Sequence, residues 1–283
     1  MSRDPRAVLR EAGLRPKRSF GQNFLVAEGI ARAIAAACVH DDEVGAARVV
    51  EIGAGTGALT RLLAERTRSL VAIERDRELV PLLERDLAAA GRVRILEADA
   101  QSIDLPALLG PTEAGSPRVL CGNLPYSITG SLVRLAVENA SAMERAVFMV
   151  QDEVASRLCA HPATKDWGAL TVFVRAAFEP RRVLRAAPGA FYPPPDVTSA
   201  VVELLPLRPP RALETERFRA LVKGAFGARR KTLRNAWARV APAAMLGEAA
   251  SRAGIALEQR GETLDVDAFA RMAAALEALK SCP

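Results

Sequence analysis

The sequence predicts an α/β protein with a mostly parallel, doubly wound sheet of seven strands, followed by a small all-α domain. Two observations lead to this fold class. Short runs rich in Val, Ile and Leu alternate with helical apolar patterns through the first part of the chain. Beyond a proline-rich stretch at 206–210, only helical patterns follow. With 283 residues, the chain is long enough for one large and one small domain.

The strands of the predicted sheet are short apolar segments bounded by turn residues. They lie near residues 48–52, 69–74, 93–98, 118–123, 146–151, 169–175 and 199–205. We expect the last of them to pair antiparallel in the edge region of the sheet, with helices filling the intervals. The carboxyl ends of the parallel strands then share one edge, where ligands bind in doubly wound folds.

The all-α part is expected to consist of helices near 214–226, 230–239, 242–253 and 265–279. The stretch 206–210 contains three prolines and predicts a stiff linker. We therefore predict a first domain over 1–206, which begins with a basic arm over 1–25, and a helical domain over 207–283.

A glycine-rich turn follows the first predicted strand. Its sequence, Glu51-Ile52-Gly53-Ala54-Gly55-Thr56-Gly57, lacks the G-x-G-x-x-G spacing of dinucleotide-binding turns. It has the E-x-G-x-G-x-G pattern that is typical of S-adenosylmethionine-dependent methyltransferases. Glycines at Gly53 and Gly55 would let the backbone approach the amino-acid and ribose parts of such a cofactor.

Acidic residues end the next two predicted strands. Glu74 lies 21 residues after Gly53, the spacing at which an acid meets ribose hydroxyls in doubly wound folds. Asp99 stands where a carboxylate can accept a hydrogen bond from an adenine amine. Each acid alone is equally explained as a helix N-cap or a solvated strand end. Their succession at neighbouring strand ends favours a ligand site.

The fourth predicted strand ends in Asn123-Leu124-Pro125-Tyr126. The Asn123 side-chain oxygen and the Leu124 carbonyl can accept the two hydrogens of an exocyclic amine. Pro125 biases Leu124 toward an extended backbone that can aim its carbonyl outward. Tyr126 supplies a flat face for stacking. These residue types suit a site that holds a nucleobase amine next to an electrophile.

The charge distribution points to an anionic partner. Lys and Arg number 39 against 33 Asp and Glu, a net charge of +6. Six basic side chains lie within residues 1–18, and eight, with no acid, lie within 217–239. Such clusters suit phosphate groups and give salt-sensitive binding, although a charge run is also explained by a solvated helix face.

Metal and membrane functions are not indicated. The four cysteines are widely separated and form no C-x-x-C pair, and the two histidines do not supplement them, so we expect neither a metal site nor a disulfide framework. No apolar run reaches membrane-spanning length, and the basic N-terminus lacks the apolar region of a signal peptide. We expect a cytoplasmic protein with no membrane partner.

Taken together, these motifs resemble those of the ribosomal RNA adenine N6-dimethyltransferases, specifically the bacterial 16S group. The resemblance covers nearly the whole chain and includes the segments 18–25, 191–199 and 225–235. It implies a Rossmann-like class I methyltransferase fold and S-adenosylmethionine as cofactor. It also implies that the substrate is a pair of adjacent adenosines in the 3′-terminal hairpin loop of 16S rRNA, within the small subunit or its precursor. We expect the enzyme to be a monomer.

The resemblance also implies site residues. The cofactor would be bound by Asn23, Leu25, Gly53, Gly55, Glu74, Asp99 and Asn123. The target base would be held by Asn123, Leu124, Pro125, Tyr126 and Phe191, and RNA by Arg18, Arg229, Arg230, Lys231 and Arg234. The chain departs from the family pattern at Asp152, where Lys is usual, and at Trp167, where Tyr is usual.

Two alternative functions are open. Large-subunit adenine methyltransferases of the macrolide-resistance type share the cofactor motifs but usually carry Asn-Ile-Pro-Tyr, so Leu124 and the basic segment 229–235 favour the 16S group. A non-catalytic RNA-binding or assembly factor could use the same fold. Catalysis is favoured by the intact residues Gly53, Glu74, Asp99 and Asn123.

Overall fold

A computed structural model of the chain describes residues 4–88, 90–228 and 230–280. The strands are β1 Phe24–Leu25, β2 Arg48–Ile52, β3 Ser69–Glu74, β4 Val93–Glu97, β5 Arg118–Asn123, β6 Arg145–Gln151, β7 Phe178–Ala186, β8 Phe191–Tyr192 and β9 Ser199–Pro206. The helices are α1 Pro5–Glu11, α2 Glu28–Cys38, α3 Ala58–Arg66, α4 Val80–Leu87, α5 Leu105–Leu109, α6 Thr129–Glu138, α7 Asp152–Leu158, α8 Ala169–Ala177, α9 Glu216–Gly227, α10 Leu233–Ala236, α11 Ala243–Ala253 and α12 Val266–Lys280.

The main sheet has the strand order β4-β3-β2-β5-β6-β9-β7. Strands β4, β3, β2, β5 and β6 pair in parallel, and β9 pairs antiparallel with β6. The order changes direction between β2 and β5, so their carboxyl ends border the crevice in which ligands bind in this architecture. The predicted doubly wound, seven-stranded sheet and its antiparallel last strand are confirmed.

A second, two-stranded sheet was not predicted. It joins β1 to β8 in antiparallel register, with Phe24 opposite Tyr192 and Leu25 opposite Phe191. The Val26 amide continues the pairing by donating to the Ala190 carbonyl at 2.8 Å. Two-residue strands this far apart in the chain leave no periodic pattern in the sequence.

The strand predicted at 169–175 is wrong, because this segment forms α8. Its Val- and Phe-rich sequence fits a buried helix as well as a strand, and a short apolar run cannot distinguish the two. Residues of α8 are buried on more than one side, Phe173 among them. Phe173 also meets the ring of Phe218 at a centroid distance of 6.2 Å.

The seventh strand of the sheet is instead β7, which was missed. Its sequence, FEPRRVLRA, is rich in arginine and contains Pro180. Both features suit the edge position that β7 occupies, since proline cannot donate to a strand ladder.

The helices predicted near 214–226, 242–253 and 265–279 are confirmed as α9, α11 and α12. The helix predicted at 230–239 shortens to the single turn α10. Trp237 leaves the helical conformation directly after it and is fully buried. Its indole nitrogen donates to the Leu221 carbonyl at 2.8 Å, a bond that fixes the ring inside the helical core.

The chain divides into two compact units: Met1–Ala155 with Arg181–Pro206, and Ser156–Pro180 with Leu207–Pro283. The second unit thus includes a segment that the predicted boundaries place in the first domain. Trp167 belongs to this segment and donates from its indole nitrogen to the Leu264 carbonyl at 3.0 Å. No helix in the described parts of the chain is both long and apolar enough to span a lipid bilayer.

Candidate active site

A cavity in the first unit lies at the carboxyl ends of β2, β3 and β5. Ten residues predicted for the site line it: Asn23, Leu25, Gly53, Gly55, Glu74, Asp99, Asn123, Leu124, Pro125 and Tyr126. The sheet order explains this convergence, because the loops after β2 and β5 face each other across the switch point.

The glycine-rich turn forms one wall. Gly53 and Gly55 have φ angles of 74° and 59°, in the left-handed region that favours glycine. A Cβ atom added to Gly55 would lie 3.2 Å from the Phe24 ring, and one added to Gly53 would lie 3.5 Å from the Asn123 carbonyl oxygen. Side chains here would fill the cradle, so the turn presents bare backbone to the cavity.

Glu74 connects the glycine-rich turn to the end of β3. Its Oε2 accepts from the Gly55 amide at 2.7 Å, and its Oε1 accepts from the Asp76 amide at 2.8 Å. Burial raises the pKa of Glu74, while the hydrogen bonds from these backbone amides oppose that rise. The carboxyl group is therefore held in one orientation at the cavity wall.

Glu51 is a cavity residue that the sequence reasoning did not single out. It is 2% exposed and lines the cavity, and its Oε2 has no hydrogen-bond partner among the described residues. Burial raises the pKa of Glu51 to about 8, and the charge of Glu74 adds to the rise. The available signal was its place at the start of the E-x-G-x-G-x-G motif.

The unpartnered Glu51 Oε2 allows the fit of S-adenosylmethionine to this site to be judged. A buried carboxyl group without a partner is costly unless a ligand supplies a hydrogen-bond donor or a positive charge. The amino and sulfonium groups of S-adenosylmethionine supply both. The residues present therefore fit that cofactor.

Asp99 is both a helix N-cap and a cavity residue, the two roles that the sequence suggests for it. Its Oδ1 accepts from the Gln101 amide at 3.0 Å and so caps a short 3₁₀ helix over Ala100–Ser102. Its Oδ2 lies 3.5 Å from an Arg75 guanidinium nitrogen. Because Asp99 also lines the cavity, capping does not remove it from the site.

The last residue of β5 and the segment after it carry the proposed base-binding groups. The Asn123 amide nitrogen donates to the Asn23 carbonyl at 3.0 Å, and its amide oxygen has no partner among the residues described. The Leu124 amide donates to the Met149 carbonyl at 3.0 Å, which anchors this backbone to β6. Tyr126 shares a hydrogen bond of 2.9 Å with Ser199, and burial raises the pKa of its hydroxyl.

Phe191 is not brought into the cavity lining. Its side chain is 2% exposed and packs in the apolar core with residues of β2 and β5. Its position opposite Leu25 in the small sheet holds it there. The aromatic face available to the cavity from the predicted base-binding set is that of Tyr126.

The predicted RNA-contact residues lie in both units. Arg18 begins a 3₁₀ turn whose next residues, Ser19 and Phe20, line the cavity. In the second unit Arg230 and Lys231 are exposed. Arg234 forms an ion pair with Glu258 at 2.6 Å. Arg229 lies outside the described residues.

The two departures from the family pattern are accommodated locally. Asp152 pairs with Arg182 and with Arg185, the latter at 2.6 Å. Trp167 is buried in the second unit. Within the described parts of the chain, no three His, Cys, Asp or Glu side chains come together in a way that could hold a metal ion.

Comparison with known proteins identifies the family. The family model described as "Ribosomal RNA adenine dimethylase" matches residues 13–278. The chain belongs to this family. It is an S-adenosylmethionine-dependent ribosomal RNA adenine dimethyltransferase, as the resemblance implied.

Curated relatives agree over nearly their whole length. The chain is 40% identical to "Ribosomal RNA small subunit methyltransferase A" of Geobacter metallireducens, over 96% of this chain and 99% of the relative. It is 43% identical to the protein of the same name from Anaeromyxobacter dehalogenans, over 96% and 97%.

Solved structures support the fold. A dimethyladenosine transferase from Plasmodium falciparum superposes with a TM-score of 0.71 at 23% identity, covering 88% of this chain and 95% of that one. The 23S rRNA methyltransferase ErmE superposes with a TM-score of 0.65 at 27% identity, covering 90% and 100%.

Proposed function

We propose that this enzyme dimethylates N6 of two adjacent adenosines in the 3′-terminal hairpin loop of 16S rRNA, within the small ribosomal subunit or its precursor. The observation that carries the proposal is the Asn123–Tyr126 segment, which lies beside the glycine-rich cradle at the switch point of the sheet. The small-subunit names of the relatives favour this substrate over large-subunit RNA. We further propose that the enzyme acts in the cytoplasm as a monomer and needs no metal.

We assign the cofactor to the cradle. The bare backbone of Gly53 and Gly55 would admit the amino-acid and ribose parts. Glu74 would accept from the ribose hydroxyls, and Asp99 from the adenine amine. Asn23 and Leu25, which line the same cavity, would complete the contacts. Each carboxylate would form charge-assisted hydrogen bonds, which are stronger than neutral ones.

The target adenine would be bound by Asn123, the last residue of β5, and by the residues after it. Its N6 lone pair is delocalised into the ring, so the amine is a weak nucleophile. The free Asn123 amide oxygen and the Leu124 carbonyl would accept its two hydrogens and favour the pyramidal form. When bound, the cofactor supplies an already activated methyl group, so positioning accounts for most of the acceleration.

Tyr126 would stack on the target base, and its bond to Ser199 would hold the ring in place. The position of Tyr126 on the cavity favours it as the principal stacking residue. Phe191 would supply a second face only after leaving its core position. The base must be unstacked from its neighbours to enter, which favours a loop over paired RNA.

Arg18, Arg229, Arg230, Lys231 and Arg234 are proposed to bind RNA phosphates. Their basic character and the exposure of Arg230 and Lys231 support this role. Because phosphate contacts position RNA without reading its sequence, these residues would add affinity rather than choose the adenosine.

The direct test is methyl transfer from labelled S-adenosylmethionine to small subunits that lack the modification, with large-subunit RNA in a parallel reaction. Label in the adenosines of the 16S 3′-terminal loop, and none in large-subunit RNA, is the expected result. Label confined to large-subunit RNA would support the macrolide-resistance alternative instead. No label in either, with cofactor bound, would support the non-catalytic alternative.

The role of Asn123 is tested separately by single-turnover methylation. Asn123→Ala should slow transfer on bound substrate by about tenfold or more while RNA affinity stays near wild type, because it removes a hydrogen bond to the reacting amine. Asn139→Ala is the matched control, since Asn139 also donates to a backbone carbonyl, that of Leu135, but does not line the cavity. A wild-type rate of single-turnover methylation in Asn123→Ala would show that Asn123 does not act in the methyl-transfer step.

A further inference from the structure

One loop of the first unit forms part of the cavity wall, and its first and last residues both bind a single buried carboxylate. The loop spans 17–22, and its residues Ser19, Phe20 and Gly21 line the cavity. The carboxylate is that of Asp76, which is 3% exposed and follows β3. We call this segment the 17–22 loop.

The loop is closed on itself before it meets Asp76. The Lys17 backbone amide donates to the Gln22 side-chain oxygen at 2.7 Å. Within the loop, Gly21 adopts a φ of 62° and its amide donates to the Arg18 carbonyl at 3.0 Å. These bonds connect the first and last residues of the loop and stabilise its turn, so contacts made at its ends also constrain its middle.

Asp76 supplies that tie. Its Oδ1 accepts from the Lys17 ammonium at 2.6 Å, and its Oδ2 accepts from the Gln22 side-chain amide at 2.7 Å. Burial would raise the pKa of Asp76, but the bonds from Lys17 and Gln22 outweigh it and lower that pKa. The carboxylate is therefore ionised at neutral pH, and both of its oxygens contact the loop.

The same tie positions Phe20 on the cavity. The Lys17 ammonium lies 5.5 Å from the centroid of the Phe20 ring, and the Arg75 guanidinium lies 5.6 Å from it. Both distances are within the range of cation–π attraction. The two cations are in turn paired with acids that follow β3 and β4, since Lys17 binds Asp76 and Arg75 lies beside Asp99.

We propose that Asp76 is a positioning residue that fastens the 17–22 loop at the cavity wall and so retains S-adenosylmethionine. The inference rests on the cofactor site proposed above but not on the identity of the RNA. Asp76 need not touch the cofactor. It acts through Lys17, Gln22 and Phe20, and its backbone amide separately supports Glu74.

That separation predicts a selective effect. A side-chain substitution at Asp76 removes the bonds to Lys17 and Gln22, and with them the bond that Oδ1 accepts from the Glu78 amide at 3.2 Å. It leaves the backbone bond to Glu74 in place, so the cavity wall at Glu74 is kept while the loop is released. Cofactor would then dissociate faster. Once cofactor is saturating, methyl transfer on bound RNA would proceed at nearly the wild-type rate, since no reacting group has changed.

The experiment compares Asp76→Asn and Lys17→Met with wild type and with Glu78→Gln. The Glu78 carboxylate also pairs with the Lys17 ammonium, but its side chain is 54% exposed and does not line the cavity, so its variant is the matched control. Cofactor affinity and dissociation rate are measured by calorimetry and stopped flow. Hydrogen exchange of residues 17–23 and the unfolding temperature are measured on the same proteins.

We expect Asp76→Asn and Lys17→Met to weaken cofactor binding about tenfold, equal to about 1.4 kcal/mol, chiefly through faster dissociation. Hydrogen exchange across residues 17–23 should be faster in these two variants without cofactor. Lys17→Arg keeps the positive charge, so it should keep both cofactor affinity and hydrogen exchange near wild type. Glu78→Gln should stay within about twofold of wild type, because exposed ion pairs contribute little.

Unchanged cofactor dissociation and unchanged exchange in Lys17→Met would overturn the proposal, and this variant keeps the test valid if Asp76→Asn does not fold. A lower rate of methyl transfer on bound RNA at saturating cofactor, with unchanged cofactor affinity, would also overturn the proposal. Asp76 would then act on the methyl-transfer step itself. Failure of the proposed 16S activity is distinguishable, because cofactor affinity, cofactor dissociation and hydrogen exchange are all measured without RNA.

Discussion

The pKa of Glu51 makes the stability of the first unit depend on pH in a way that one substitution should abolish. Burial raises this pKa to about 8, whereas the ordinary value is 4.5. Between these values the folded protein holds a proton that the unfolded chain has released. The free energy of unfolding therefore falls as pH rises through this window, by up to about 1.4 kcal/mol per pH unit.

Glu51→Gln replaces the carboxyl group by a neutral amide of nearly the same shape. The variant and the wild type should have similar stability near pH 5, where folded Glu51 is protonated. From about pH 5.5 to about 7.5 the wild type should lose about 2.7 kcal/mol relative to the variant, two pH units at the slope above. Two other titratable groups interact with Glu51: the charge of Glu74 raises the pKa of Glu51, and the charge of Glu51 raises the pKa of Cys121. Both groups remain in the variant.

Urea unfolding of both proteins at a series of pH values measures this difference directly. Glu97→Gln is the control, because Glu97 ends the neighbouring strand β4 but its side chain is 46% exposed. A stability difference between wild type and Glu51→Gln that stays constant across the series would refute the reasoning. It would mean that Glu51 has the same pKa in the folded and unfolded chain.

Three further predictions concern packing, cofactor and RNA. Gly122→Ala should destabilise the protein by about 2 kcal/mol or more in urea unfolding, because its Cβ would overlap the Ile52 carbonyl oxygen on the adjacent strand. Glu74→Ala should weaken S-adenosylmethionine binding by about 1.5–3 kcal/mol in calorimetry, and unchanged affinity would exclude its role. Replacing Arg230 and Lys231 by Gln should flatten the dependence of log affinity for the small subunit on log salt. The expected change is about 0.7–0.9 for each phosphate that the variant no longer neutralises, whereas a solvated face predicts no change.

The parallel core of the fold could be predicted from sequence because each strand carries its own signal. Strands β2, β3 and β5 are short apolar runs that end in a glycine turn or a polar residue, and their bounds match the prediction. The site residues at those ends converge for the same reason, since parallel topology brings strand ends to one edge.

Prediction and structure differ where tertiary packing decides between equivalent local patterns. Residues 169–175 have the composition of a strand, but the aromatic core of the second unit makes them a helix. Phe191 belongs to a motif whose resemblance implies a place at the base, whereas its pairing with Leu25 holds it in the core. Glu51 was overlooked because its significance depends on burial, which the motif alone does not specify.

The order in which the two units are built along the chain constrains synthesis on the ribosome. The chain passes from one unit to the other three times, after residues 155, 180 and 206. The segment Ser156–Pro180 emerges before the helices α9 and α12, which pack against Phe173 and its neighbours. Its apolar side chains remain exposed until α9 and α12 have been translated. A protein shortened after residue 206 would keep that segment and lack its cover, so we expect it to aggregate rather than yield an isolated first domain.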